Sequence, residues 1–280
     1  MADPLLSLPL YQVPFAVLDV ETTGLHPGLG DAICEIAILH VCDGRVTEEY
    51  ASLVDPGRPI SVDAYAVNHI SAEMLRGAPT FSRIAGEVLA HIEGRAIVAH
   101  NARFDLSFLV AALEEEQLPI PDNPVVDTLA LARLRFGFPK NNLHAIAQDL
   151  GIQAPRRHRA LGDVWTTWRV LEVFMQDLQS RWSIGTLGEL VRAQGGPSAW
   201  PCVYPRQALP EVLVEALDKR RAIFLRYCSS EGEVSERTVE PLRVGSYQGI
   251  IYLVARCMLR GEQRTFRLDR ILEMRLHELG

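Results

Sequence analysis

The chain has 280 residues, of which 48% are hydrophobic and 22% charged, and its formal net charge is −7. This is an ordinary globular composition. It predicts two domains at about 150 residues each and excludes a disordered, collagen-like or disulfide-scaffold chain. The negative balance predicts no general attraction to nucleic acid or anionic membrane.

Phe15–Val20 predicts a buried strand: FAVLDV is apolar and β-branched, and TTG stops it. Ile33–Val41 and Val46–Leu53 predict two more strands, joined by the hairpin signal Asp43-Gly44. Two or three short helices are expected within Val62–His91, one of them starting at Ser71. Ala96–Ala99 predicts a short strand and Ala102–Glu116 a helix, with Phe104, Phe108, Leu109 and Leu113 at helical spacing. Val125–Asp127 predicts the last strand of this part, and Thr128–Phe136, Asn142–Leu150 and Ala160–Gln176 predict helices. The order implies an α/β layer structure whose first three strands form an antiparallel meander.

Residues 177–206 hold one predicted helix, Leu187–Ala193, and then the breaker-rich GGPSAWPCVYP, so they read as a linker. Residues 207–280 predict a helix over Val212–Arg220. Strands are expected over Ala222–Tyr227, Glu236–Glu240, Ile250–Arg256 and Arg264–Leu268, as in a small β-rich, SH3-like module. No apolar run approaches the roughly 20 residues of a membrane span, and Met1–Pro14 lacks the basic start of a signal peptide. The cysteines at 34, 42, 202, 228 and 257 form no CxxC pair. Reduced thiols, a cytoplasmic location, no membrane association and no Cys-based zinc site are therefore expected.

Charge is unevenly spread. Residues 206–280 carry 13 Lys/Arg against 11 Asp/Glu, which leaves a net −9 on residues 1–205. Within that acidic part, Arg133–Arg159 holds six basic residues against Asp149 alone, and Arg156, Arg157 and Arg159 flank His158.

Asp19 and Glu21 lie two apart on an apolar strand and so project from one face. Unpaired carboxylates there would cost several kcal/mol, so something positive must compensate. Asn101 and Asp105 follow the Ala96–Ala99 strand and share one helix face, with Asn101 at the N-cap position. His158 and Asp163 stand at the mouth of the last long helix. Four acids and one His thus gather at strand ends or at the helix starts beyond them. Two carboxylates about 4 Å apart repel by roughly 4 kcal/mol at an effective dielectric of 20, so the cluster predicts cations. Oxygen ligands favour Mg²⁺ or Mn²⁺, and a two-ion clamp suits displacement at phosphorus, with His158 as general base.

The motifs Asp19-x-Glu21-Thr22-Thr23-Gly24, Asn101-x-x-Phe104-Asp105 and His158-x-Ala160-x-x-Asp163 resemble those of the DnaQ-like, or DEDDh, 3′–5′ exonucleases over about Tyr11–Gln176. The resemblance implies an RNase H-like exonuclease domain with a mixed sheet, releasing nucleoside monophosphates from a 3′ end. It implies Asp19, Glu21, Asp105 and Asp163 as ligands of two Mg²⁺ or Mn²⁺ ions, with His158 as base. It also implies contacts to the terminal nucleotide from Thr22, Gly24 and Leu25. The Ile60–Ile70 segment, similar to the family's substrate cradle, adds His69. Asn101, Phe104, Arg156, Arg157 and Arg159 complete the expected substrate contacts. Single-stranded DNA is the favoured substrate, with RNA or short oligoribonucleotides as the rival.

The C-terminal part resembles a WYL domain from Tyr227 through Ile251-Tyr252-Leu253 to Arg264-x-Phe266-Arg267, with Ile251 standing where that family has its Trp. The resemblance implies an SH3-like β-fold that binds nucleic acid or senses a ligand. Arg256, Arg264, Arg267 and Arg270 are the expected ligand contacts, because Arg offers bidentate forks to phosphates. The expected organisation is an exonuclease domain over 1–176, a linker over 177–206 and a WYL-like domain over 207–280. A second reading makes the chain a regulatory, nucleotide-sensing protein whose exonuclease part is accessory.

Overall fold

The computed structural model describes residues 3–27, 30–153, 159–198, 200–201, 209–230, 232–247, 250–258 and 261–277. The chain divides into two compact units, Met1–Gly24 with Ala32–Pro201, and Leu25–Asp31 with Cys202–Gly280.

In the first unit five strands are ordered β3-β2-β1-β4-β5: β1 (Phe15–Thr22), β2 (Ile33–Cys42), β3 (Arg45–Leu53), β4 (Ala96–Ala99) and β5 (Val125–Asp127). The first three form the expected antiparallel meander, and β4 and β5 join it in parallel, giving a mixed sheet. Asp43 and Gly44, with φ of 50° and 68°, supply the left-handed pair that a tight hairpin turn needs. The helices are α1 (Val62–Asn68), α2 (Phe81–Ile92), α3 (Ala102–Glu115), α4 (Thr128–Arg135), α5 (Leu143–Asp149), α6 (Ala160–Trp182) and α7 (Leu187–Ala193).

The alternation of β1 builds a core on each side of the sheet. Phe15 and Val17 share one core with Trp168, Leu171 and Phe174 of α6. Ala16, Leu18 and Val20 share the other with Val88 of α2 and Leu106 and Leu109 of α3. Covered on both faces, β1 carries an apolar run broken only where its end reaches the site.

Three expectations need correction. No helix starts at Ser71: residues 72–77 form turns that close on Gly77, at φ 82°, ahead of Pro79, and Leu75 is their buried anchor. Helix α6 runs to Trp182 rather than Gln176, closing on Ser183 in the left-handed conformation (φ 54°). The presumed linker is largely part of the first unit. Leu187, Leu190, Val191 and Ala193 of α7 are buried in its core, and Thr186 bridges Pro9 in antiparallel fashion. Gln194 also completes the open edge of β5: its amide nitrogen donates to the Val125 carbonyl at 2.8 Å and its oxygen accepts from Asp127 N–H at 2.8 Å. Buried backbone groups at a sheet edge require such partners.

The second unit holds α8 (Glu211–Asp218) and five antiparallel strands ordered β10-β6-β7-β8-β9. These are β6 (Ile223–Cys228), β7 (Val234–Tyr247), β8 (Ile250–Cys257), β9 (Gln263–Arg267) and β10 (Ile271–Leu276). The helix and β-rich character are as expected; β7 is longer than expected and β10 is an additional strand. Leu213, Ala216, Ile223, Leu225, Leu253 and Phe266 form its core. Among the described residues no helix is long and apolar enough to cross a membrane.

Candidate active site

Asp19 and Glu21 continue the face of β1 that Phe15 and Val17 begin, so they emerge where α6 starts. One carboxylate oxygen from each of Asp19, Glu21 and Asp163 lies within 4.8 Å of the other two. Asp105, buried in the first turn of α3, comes to the same place; its Oδ1 accepts the Val20 N–H at 3.1 Å. The structure thus brings the four acids together from β1, α3 and α6.

The electrostatics follow from crowding. Burial pushes the Asp19 carboxyl well above the usual carboxylate range, and the charges of Asp105, Asp163 and Glu21 push it further. Burial raises Glu21 to about 8, with Asp163 and Glu35 adding to the rise and Arg159 opposing it. Burial likewise raises Asp105, against the pull of the Val20 N–H. Acids that resist ionisation for want of positive charge, offering only oxygen, fit a hard divalent cation. Asp19, Glu21 and Asp163 would hold it, with Asp105 beside them.

Sequence reasoning missed Glu35. It stands opposite Glu21 across β1 and β2, a like-charge pairing that ordinarily destabilises a sheet. Arg159 relieves it: its Nε donates to the two Glu35 oxygens at 3.1 and 3.0 Å. The same carboxylate accepts the Ala160 N–H at 3.0 Å, capping α6 in place of Arg159, whose side chain makes no capping bond. Arg159, expected as a substrate contact, is therefore bound to Glu35. The available signal was a single acid inside the apolar run ICEIAILHVC.

Asn68 was also missed. Its buried amide donates to the Thr22 carbonyl at 3.2 Å and accepts the Ile70 N–H at 3.0 Å, tying the end of α1 beneath the end of β1. Its side chain also lowers the Glu21 carboxyl. Thr22 donates its hydroxyl to the Gly24 carbonyl at 2.6 Å, and Leu25 is exposed. His69 closes α1 at φ 56° with Tyr65 edge-on to its ring. Asn101 occupies the N-cap position as expected, but at φ 71° and with no capping bond from its side chain. Phe104 packs against Phe108 at 5.0 Å. His158, Arg156 and Arg157 lie outside the described residues.

In the second unit a cavity of about 340 Å³ is lined by Tyr227, Ser229, Ser235, Arg237, Arg264 and Phe266, among others. Of the four expected arginines only Arg264 reaches it; Arg237 does so unforeseen. Arg256 faces Glu240 at 3.8 Å, Arg264 faces Glu262 at 3.5 Å, and the Arg267 Nε donates to Asp269 at 3.0 Å. Arg270 lies in the short 3₁₀ turn between β9 and β10.

The family model described as Exonuclease matches residues 16–171, and that of the WYL domain matches residues 208–276. A DNA polymerase III subunit epsilon-like protein of Rhodobacter capsulatus is 39% identical over 181 residues, covering 62% of this chain and 25% of that protein. The 3′–5′ exonuclease DinG of Bacillus subtilis is 32% identical over 166 residues, covering 59% of this chain and 18% of that protein. The chain thus spans a quarter or less of these two curated relatives. Among solved structures, Exonuclease X in complex with 5′-overhanging duplex DNA is 30% identical, covering 65% of this chain and 99% of that one, with a TM-score of 0.50. E. coli Exonuclease I, in complex with a dT13 oligonucleotide, shares the fold at 18% identity and a TM-score of 0.56, covering 87% of this chain and 55% of that one. The chain belongs to the DnaQ-like exonuclease family through residues 16–171, with a WYL domain following at 208–276.

Proposed function

We propose that the chain is a metal-dependent 3′–5′ exonuclease that hydrolyses phosphodiester bonds from the 3′ end of single-stranded DNA. The observation that carries this reading is the convergence of Asp19, Glu21 and Asp163 within 4.8 Å, with Asp105 buried beside them. Bound Mg²⁺ or Mn²⁺, two ions per site in this reading, supplies charge neutralisation at the phosphate and a more acidic water. The four acids hold the ions, and Val20 N–H fixes which Asp105 oxygen stays turned away. Glu35 occupies the guanidinium of Arg159, so that charge offsets the acids a cation needs only in part. His158, five residues before Asp163, takes the proton of the attacking water; its ordinary pKa near neutrality suits that role. Thr22, Gly24, Leu25 and His69 receive the terminal nucleotide.

The DNA preference draws support from the DNA bound to Exonuclease X, a relative of 30% identity, and from the DNA polymerase III relatives. The WYL domain provides a further nucleic-acid or ligand contact, for which Arg237 and Arg264 at the cavity are the leading candidates. Matched DNA and RNA strands, labelled at either end and digested in parallel, test nucleic acid and polarity together. Stepwise loss from the 3′ end of DNA, abolished in Asp19→Ala, is expected. Faster digestion of RNA replaces the substrate assignment, and Asp19→Ala protein that still trims a 3′ end overturns the site. Removal of residues 207–280 tests the WYL domain; unchanged affinity for long strands overturns its role in substrate binding.

A further inference from the structure

Helix α5 contributes a residue to the acid cluster that none of the motifs contains. His144 lies in its first turn, two residues after Asn142, whose side chain caps the helix by accepting the Ala145 N–H at 2.9 Å. The His144 Nε2 stands 3.3 Å from Asp163 Oδ1, and the two side chains are only 13% and 11% exposed. The approach to α5 is itself fixed. His100, just beyond β4, contacts the Asn141 carbonyl through Nε2 and the Thr128 hydroxyl through Nδ1, each at 2.9 Å. The turn that delivers His144 is therefore anchored to the sheet edge from which α3 and Asp105 also start.

An aspartate at a helix start turns freely about two side-chain bonds. Asp163 faces Asp19 and Glu21, whose charges repel it. Left to itself, its carboxylate would be driven away from the position a cation requires. A side chain held against it by α5 opposes that rotation. We propose that His144 is a positioning residue: its Nε2, 3.3 Å from Asp163 Oδ1, pairs with that carboxylate and restrains its rotation. Outer partners of this kind orient carboxylate ligands, and their loss typically weakens metal binding about 10–100-fold.

This inference rests on the proposed metal site, and calorimetric titration of the full chain with Mn²⁺ separates the two. Wild type should bind and Asp163→Asn should bind far more weakly; equal binding, or none by wild type, overturns the metal site itself. His144→Leu keeps the packing and removes the ring nitrogen, so its Mn²⁺ affinity should fall about 10–100-fold. His144→Gln carries an N–H to a similar reach and should recover affinity to within about threefold of wild type. His144→Asn, polar but too short, should stay weak and serves if the leucine variant does not fold. Melting of each variant in EDTA should match wild type, and the kcat for a 3′-ended oligonucleotide should fall with KM unchanged. Mn²⁺ affinity of the leucine or asparagine variant within about twofold of wild type overturns the proposal. So does a glutamine variant as weak as the leucine variant.

Discussion

Arg159 and Glu35 are joined across the start of α6, with the Arg159 Nε 3.1 and 3.0 Å from the two carboxylate oxygens. The Ala160 N–H reaches the same group at 3.0 Å. One carboxylate from β2 therefore caps a helix, engages an arginine, and stands opposite Glu21. Glu35→Gln should lower stability by about 2–3 kcal/mol, below the full cost of breaking a buried pair because Arg159 is one-third exposed. It should also weaken Mn²⁺ binding, since the released guanidinium can turn to Asp163 and Glu21. Urea unfolding and metal titration check both parts, and an unchanged midpoint would sink the first.

The acid cluster predicts how the metal-free chain responds to pH. The folded chain holds the Glu21 proton up to about 8, whereas its ordinary value is 4.5. Between those values the unfolded chain binds fewer protons, so stability falls as pH rises through that window and levels off above it. Asp19 and Asp105 shift in the same direction. Melting in EDTA should therefore drop from pH 5 to pH 8, and Mn²⁺ should stabilise more at about pH 8 than at about pH 5. A melting temperature in EDTA that rises over this range contradicts the account.

Removing one charge should separate stability from activity. Burial raises Asp19, and the charges of Asp105, Asp163, Glu21 and Glu35 raise it further. Asp19→Asn should abolish nuclease activity while stabilising the metal-free protein by about 1 kcal/mol near pH 8, as expected where function holds like charges together. Denaturant unfolding in EDTA measures it; a destabilised variant at that pH would show that the acids do not strain the fold.

Gln194 predicts where the first unit can be cut. Its amide serves both Val125 and Asp127, so Gln194→Leu should cost about 1–3 kcal/mol by leaving β5 backbone groups buried without partners. A fragment of residues 1–176 should fail to fold cooperatively, while 1–201 should fold. Thermal melting of the two fragments decides; equal transitions would show that α7 is dispensable.

The contrast between Asp19 and Glu35 shows what the sequence made legible. Asp19 and Glu21 end an otherwise apolar strand beside a turn signal, so local pattern alone marks them as needing compensating positive charge. Glu35 is equally anomalous in β2, yet its meaning depends on Arg159, brought close only by the fold. His144 has no local signal, because a histidine in the first turn of a short helix is unremarkable until Asp163 is placed against it. The meander and the helices after β4 followed from periodicity and breakers. The linker reading failed because Gly195, Gly196 and Pro197 mark an end to helix, which is not an end to packing. The extra turns of α6 escaped notice since their apolar positions thin out after Leu178, and β10 since its alternation, ILEMRL, is imperfect.

The start of the chain is clasped to its distant end in the first unit. Leu10 N–H donates to Gly185 O at 2.9 Å, Leu187 N–H donates to Leu8 O at 3.1 Å, and Gly188 lies so close to Leu6 O that a Cβ would sit 2.9 Å from it. On the ribosome these partners are synthesised far apart, on the order of 10–35 s at about 5–20 residues per second. A nascent chain paused before residue 187 already contains every acid of the cluster, yet it cannot seal the unit that aligns them.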